Sequence, residues 1–151
     1  QCDIHGANGL AFSADQRWMY TSDTPNAVIY RTPLDEQGEP GRREVFRRFQ
    51  PGEGIPDGAA IDVEGCYWSA MFDGWRIARF SPQGEELETY PMPVRCPTMV
   101  CFGGADMKTL YITTTRENME DDELAKYPLS GAIFTLPVAV AGMKKLPFRE
   151  R

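Results

Sequence analysis

Asn8, Asp57 and Thr98 are the residues of this sequence best suited to chemistry. Each opens a short apolar stretch: Asn8-Gly9-Leu10-Ala11-Phe12, Asp57-Gly58-Ala59-Ala60-Ile61 and Thr98-Met99-Val100-Cys101-Phe102. An amide carbonyl and a carboxylate are hard oxygen donors, the kind that bind a divalent cation. A cation held there would polarise a carbonyl or acidify a bound water. Asp57 could also take a proton from that water as a general base. Asn-Gly and Asp-Gly are common turn dipeptides, so each taken alone also reads as a turn. It is their recurrence at equivalent positions that points to a site. His5 lies three residues before Asn8. It reads as a surface or packing histidine, with a place at the same site as the alternative.

Other chemistries lack their residues. The four cysteines are Cys2, Cys66, Cys96 and Cys101, with no CxxC pair and one histidine to join them. That argues against structural zinc and for reduced, mostly buried thiols. No G-x-S-x-G, H-E-x-x-H, Walker A or Rossmann glycine pattern is present. The acidic run from Glu117 to Glu123 lacks the alternating ligands and central glycine of an EF-hand loop. A solvated loop that begins a short helix is the expectation, and a lid over the site is the alternative.

The elements that must position these residues come from an internal repeat. After each opening stretch and a turn comes an aromatic-bearing strand: Trp18–Thr21, Tyr67–Ala70 and Leu110–Thr113. A third strand follows at Ile29–Arg31, Ile77–Phe80 and Ile133–Leu136, and a fourth fits at Glu44–Phe49 and Glu86–Tyr90. Helical periodicity is nearly absent, and 14 Gly and 12 Pro punctuate the short strands. Four strands in roughly 40–50 residues is one propeller blade. The sequence therefore predicts an all-β fold, three blades of a β-propeller spanning residues 8–50, 57–92 and 98–150. Small residues such as Gly9, Ala11 and Gly58 suit the crowded inner strands. The aromatics Trp18, Tyr20, Tyr67, Trp68 and Tyr111 are expected to pack between blades as core.

A chain of 151 residues is long enough for a core of its own. Its net charge of −6 argues against a nucleic-acid partner. The longest apolar run, Leu136 to Met143, contains a proline and is too short to span a membrane. No signal peptide is visible, which makes a cytoplasmic location the default expectation. Propellers close with four to eight blades, so three leave two open faces. With Gln1 an unusual start, the expectation is an absent N-terminal half, either on another chain or removed from a longer one. A second copy pairing three blades with three is the alternative. Either way, the isolated chain is expected to dimerise or aggregate.

The sequence resembles the gluconolactonase / regucalcin family of six-bladed propellers. The resemblance rests on Asn8-Gly9-Leu10-Ala11-Phe12-Ser13, Ser22-Asp23-Thr24, Gly52-Glu53-Gly54-Ile55-Pro56-Asp57-Gly58, Thr109-Leu110-Tyr111-Ile112-Thr113 and Pro128-Leu129-Ser130-Gly131-Ala132-Ile133-Phe134. It covers nearly the whole chain, as the C-terminal half of such a ring. It implies one divalent metal ion (calcium, zinc, manganese or iron(II)) with Asn8 and Asp57 as ligands. It implies Asp57 as the catalytic residue and hydrolysis of a sugar lactone to the open acid. The glutamate ligand of the family's first blade, and further sugar-binding residues, would lie upstream of this chain. The alternative on the same residues is a non-catalytic calcium- or metal-binding or interaction propeller.

Overall fold

Residues 3–144 are described by the computed structural model of the chain. The first sheet is a meander of β1 (Ala7–Phe12), β2 (Trp18–Asp23), β3 (Val28–Pro33) and β4 (Glu44–Arg48). The second is β5 (Ile55–Ile61), β6 (Tyr67–Phe72), β7 (Arg76–Phe80) and β8 (Glu86–Pro91). The third holds β9 (Pro97–Gly103), β10 (Thr109–Thr114) and β11 (Ile133–Pro137), with helix α1 (Asp121–Lys126) between the last two. All neighbouring strands are antiparallel. These are three propeller blades, as the repeat predicts. The fourth strands of the first two blades fall where expected. The third blade has three strands among the described residues, and residues 145–150 of the span expected for it lie outside them, as does Cys2.

The turns follow from local hydrogen bonding. Ser13 Oγ donates to Asp15 Oδ1 at 2.6 Å and accepts from the Trp18 N–H at 2.9 Å, folding β1 back onto β2. Past β11 the chain crosses to the second blade, where Gly142 bridges Asp62 and the Met143 N–H reaches the Ile61 carbonyl at 3.2 Å.

Blades meet face to face through two apolar clusters. Ala11, Tyr20, Ile29 and Phe46 of the first blade pack on Ile61, Tyr67, Met71 and Phe80 of the second. Ala60, Trp68, Ala70 and Ile77 of the second pack on Val100, Phe102, Leu110 and Ile112 of the third. Alternation along each strand gives every blade two such faces. The middle blade, covered on both, buries five of the six residues of β6. Tyr20, Tyr67 and Trp68 are interblade core, as expected. Trp18 is half-buried under the Arg31 guanidinium, 4.6 Å from its ring centroid. Tyr111 departs from the expectation: it is 44% exposed, because no described residue covers its face of the third blade.

Candidate active site

The inner strands β1, β5 and β9 converge side by side and start at the same end. In β1 the register shifts between Asn8 and Ala11, and in β5 between Pro56 and Ala59. Such bulges bend a strand and re-aim its side chains. Across the β1–β5 seam the Asn8 Nδ2 amide donates to Asp57 Oδ1. Asn8 Oδ1 accepts from the Gly9 N–H at 3.1 Å.

The glycine after each polar residue is required by this convergence. A Cβ on Gly9, whose φ is +54°, would lie 2.7 Å from Ser22 Oγ and 2.8 Å from the Asp57 carbonyl. A Cβ on Gly58 would lie 2.6 Å from the Thr98 carbonyl and 2.8 Å from Met99 Cα. Both dipeptides sit inside strands, which removes the turn reading.

Three hydroxyls fix the backbone beneath the pair. Ser22 Oγ donates to the Asp57 carbonyl at 3.2 Å, and Thr24 Oγ1 to the Pro56 carbonyl at 2.8 Å. From the second blade, the buried Tyr67 hydroxyl donates to the Gly9 carbonyl at 2.7 Å. Each blade thus holds the strand that carries the other blade's polar residue.

Asp57 is half-buried. Burial pushes its carboxyl up to about 6, and the negative charge of Glu117 adds to the rise. A carboxylate poised there is mostly ionised at neutral pH yet basic enough to accept a proton. Glu117 belongs to the segment after β10, which Arg95 ties down. Arg95 Nη1 donates to Asp73 Oδ1 at 2.6 Å, Nε to Glu123 Oε1 at 2.6 Å and Nη2 to the Asn118 carbonyl at 2.7 Å. Trp75 meets Tyr127 edge-on, with centroids 4.7 Å apart. The acidic run does begin a helix, with Asp121, Asp122 and Glu123 in its first turn.

The other candidates take hydrogen-bond partners outside the pair. Thr98 Oγ1 shares a hydrogen bond with Thr113 Oγ1 at 2.8 Å. His5 is exposed, its Nδ1 2.9 Å from Asn26 Nδ2. Cys66 and Cys96 are buried free thiols as expected, and Cys101 is an exposed one. Sequence reasoning missed Ser22, Thr24, Tyr67 and Glu117 as parts of this site. The Ser22-Asp23-Thr24 motif was the available signal for the first two, whereas nothing local marks the others.

The donor set suits a hard divalent cation in part. Turning the Asn8 amide over would aim its oxygen where its nitrogen now meets Asp57, giving two oxygen donors at one point. Among the described residues, no three His, Cys, Asp or Glu side chains gather closely enough to hold a metal. A cation held here would need further ligands, from backbone, water or residues beyond those described.

Residues 1–116 match the SMP-30/Gluconolactonase/LRE-like region. The chain belongs to this family. Among SMP-30/gluconolactonase relatives, it is 57% identical over 141 residues to a 6-deoxy-6-sulfogluconolactonase of Pseudomonas putida, covering 93% of this chain and 48% of that one. It is 40% identical over 147 residues to regucalcin of Danio rerio, covering 95% and 49%. In structure it superimposes on a calcium-binding regucalcin of Agrobacterium tumefaciens with a TM-score of 0.91 at 32% identity, covering 98% of this chain and 51% of that one. The chain spans about half the length of the relatives it matches.

Proposed function

We propose that this chain is the C-terminal half of a sugar-lactone hydrolase whose site includes Asn8 and Asp57. The observation that carries this reading is the meeting of these two side chains, from separate blades, at one point of a chain whose relatives include lactonases. Asn8 and Asp57 would hold one divalent ion, which when bound supplies a Lewis acid for the lactone carbonyl. Asp57 accepts the proton of the attacking water, its basicity raised by burial and by Glu117. Until an ion is bound, Asn8 orients the Asp57 carboxylate through its amide N–H. Ser22, Thr24 and Tyr67 bond the Asp57, Pro56 and Gly9 carbonyls, so the backbone that carries both side chains is fixed before substrate arrives.

The name of the Pseudomonas relative points to an aldonolactone as the substrate class. The calcium-binding regucalcin neighbour supports a divalent ion without fixing which one. The test is Asp57→Ala in the complete protein, assayed for lactone hydrolysis with divalent metal added back. Turnover should fall by about 100-fold or more, in line with loss of a positioned base. Near-wild-type turnover would refute the assignment. Retained metal binding in a wild-type protein that hydrolyses no lactone would leave a binding propeller instead.

A further inference from the structure

Three consecutive residues at the end of β2 reach both sides of the Asn8–Asp57 seam. Ser22 and Thr24 donate to the Asp57 and Pro56 carbonyls of β5, at 3.2 and 2.8 Å. Asp23, between them, points the other way, as alternation along a strand requires. Its Oδ1 accepts the backbone N–H groups of His5 at 3.2 Å and Gly6 at 3.1 Å, in the run that leads into Asn8. The Thr24 N–H returns to the Gly6 carbonyl at 3.0 Å, so both backbone groups of Gly6 are bonded to residues 23 and 24. Gly6 also lies hard against Pro25: a Cβ there would come within 2.6 Å of the proline Cδ. Asn26 Nδ2 braces the same carboxylate through Oδ2, at 2.8 Å. This anchorage counts because β1 has little pairing of its own there. Before its bulge it meets β2 at Ala7–Asp23 and Asn8–Ser22.

The equivalent corners of the other blades are built without a carboxylate. Ala7, Pro56 and Pro97 share a register position, and their partners are Asp23, Met71 and Thr114. The middle blade makes this corner from Ala70-Met71-Phe72, with Ala70 and Met71 wholly buried in the apolar core. In the third blade Thr114 Oγ1 donates to the Ala132 carbonyl at 2.7 Å and accepts the Gly131 N–H at 3.0 Å, both inside its own blade. The fold therefore accepts a methionine or a threonine at this position. A buried carboxylate costs desolvation that neither of them incurs. Among the three blades it stands in the one whose inner strand opens with Asn8.

We propose that Asp23 is a positioning residue of this site, acting through the His5–Gly6 backbone to set Asn8 against Asp57. Ser22 and Thr24 fix the Asp57 side of the seam and Asp23 fixes the Asn8 side, so one tripeptide sets the spacing of the two side chains. That spacing decides whether two oxygens can meet one ion, and partners behind a metal site govern its affinity by holding such spacings. The role rests on the reading of Asn8 and Asp57 as the residues that hold the ion.

Calcium and manganese(II) titrations of the complete protein by calorimetry test it, with lactone hydrolysis as a second readout and circular dichroism as the check on folding. Asp23→Asn should weaken ion binding by about 10-fold or more, as loss of a partner behind a metal site does. It should lower kcat by more than it raises KM. In an Asn8→Ala background the same change should alter ion affinity by less than about 2-fold, because a residue acting through another loses its effect when that other is gone. Gly6→Ala displaces the same run from Pro25 without touching the carboxylate, and it should weaken ion binding by about 3-fold or more. Wild-type affinity and turnover in folded Asp23→Asn and Gly6→Ala proteins would overturn the proposal and leave Asp23 a role in stability alone. An equal effect of Asp23→Asn with and without Asn8 would overturn it too, since the carboxylate would then act by another route. A wild type that binds neither ion would overturn it together with the ion site. A wild type that shows the coupling yet hydrolyses no lactone would uphold the positioning role and remove the lactonase reading.

Discussion

Asp23 is wholly buried, yet its charge is answered by hydrogen-bond donors. Burial by itself would raise its pKa. The Asn26 amide at 2.8 Å and the backbone N–H groups of Gly6 at 3.1 Å and His5 at 3.2 Å outweigh that effect and hold the carboxyl below its ordinary range. A depressed folded-state pKa contributes stability above the unfolded value, and this is lost as pH falls through the folded one. Asp23→Asn leaves buried N–H donors facing an amide, at a cost of about 1–3 kcal/mol at neutral pH. Urea melts should show that deficit at pH 7 and a smaller one below about pH 4; a deficit constant with pH would mean that the charge is irrelevant. Gly58→Ala belongs to this scale too. Its methyl would press on the Thr98 carbonyl and Met99 of the next inner strand, and urea melts should show a loss of about 1–3 kcal/mol. Asn8 and Asp57 were legible because the repeat aligns them. The purpose of their glycines was not, since turn and close approach use the same residue. The Asp57–Glu117 proximity was hidden as well, because it depends on where a distant loop folds.

The segment between β10 and β11 is the element whose placement rests on few contacts. α1 has no buried residue. Arg95, through Asp73, Glu123 and Asn118, and the Trp75–Tyr127 pair fasten it. Arg95→Ala should release it without unfolding the sheets. Hydrogen exchange should quicken for amides of the segment around α1 and stay unchanged in β6 and β7, as expected of a local opening. Faster exchange throughout would show instead that Arg95 supports the core. Strands were legible from alternation and turn residues, and α1 from the acidic start of its first turn. The departures lie in the third blade. There the chain leaves β11 for the edge of the second blade, a tertiary choice with no local signature. An aromatic at an equivalent repeat position marks a face, whereas its burial depends on whether a neighbour covers that face.

At the scale of the molecule, three blades stand in series with two apolar joints between them. The middle blade belongs to both, so its loss undoes everything, whereas each outer blade hangs on one joint. Tyr20 anchors the first joint against Phe46 and Tyr67, with ring centroids 5.1 and 5.3 Å away. Trp68 anchors the second against Tyr90 and Phe102, at 5.4 and 5.5 Å. Truncating either to alanine removes a fully packed ring, at a cost of about 3–5 kcal/mol. Tyr111 occupies the same position in the third blade and is 44% exposed among the described residues. Urea titrations at high dilution should therefore show large losses for Tyr20→Ala and Trp68→Ala and under about 0.5 kcal/mol for Tyr111→Ala. A Tyr111 loss equal to the other two would mean that residues beyond those described cover its face.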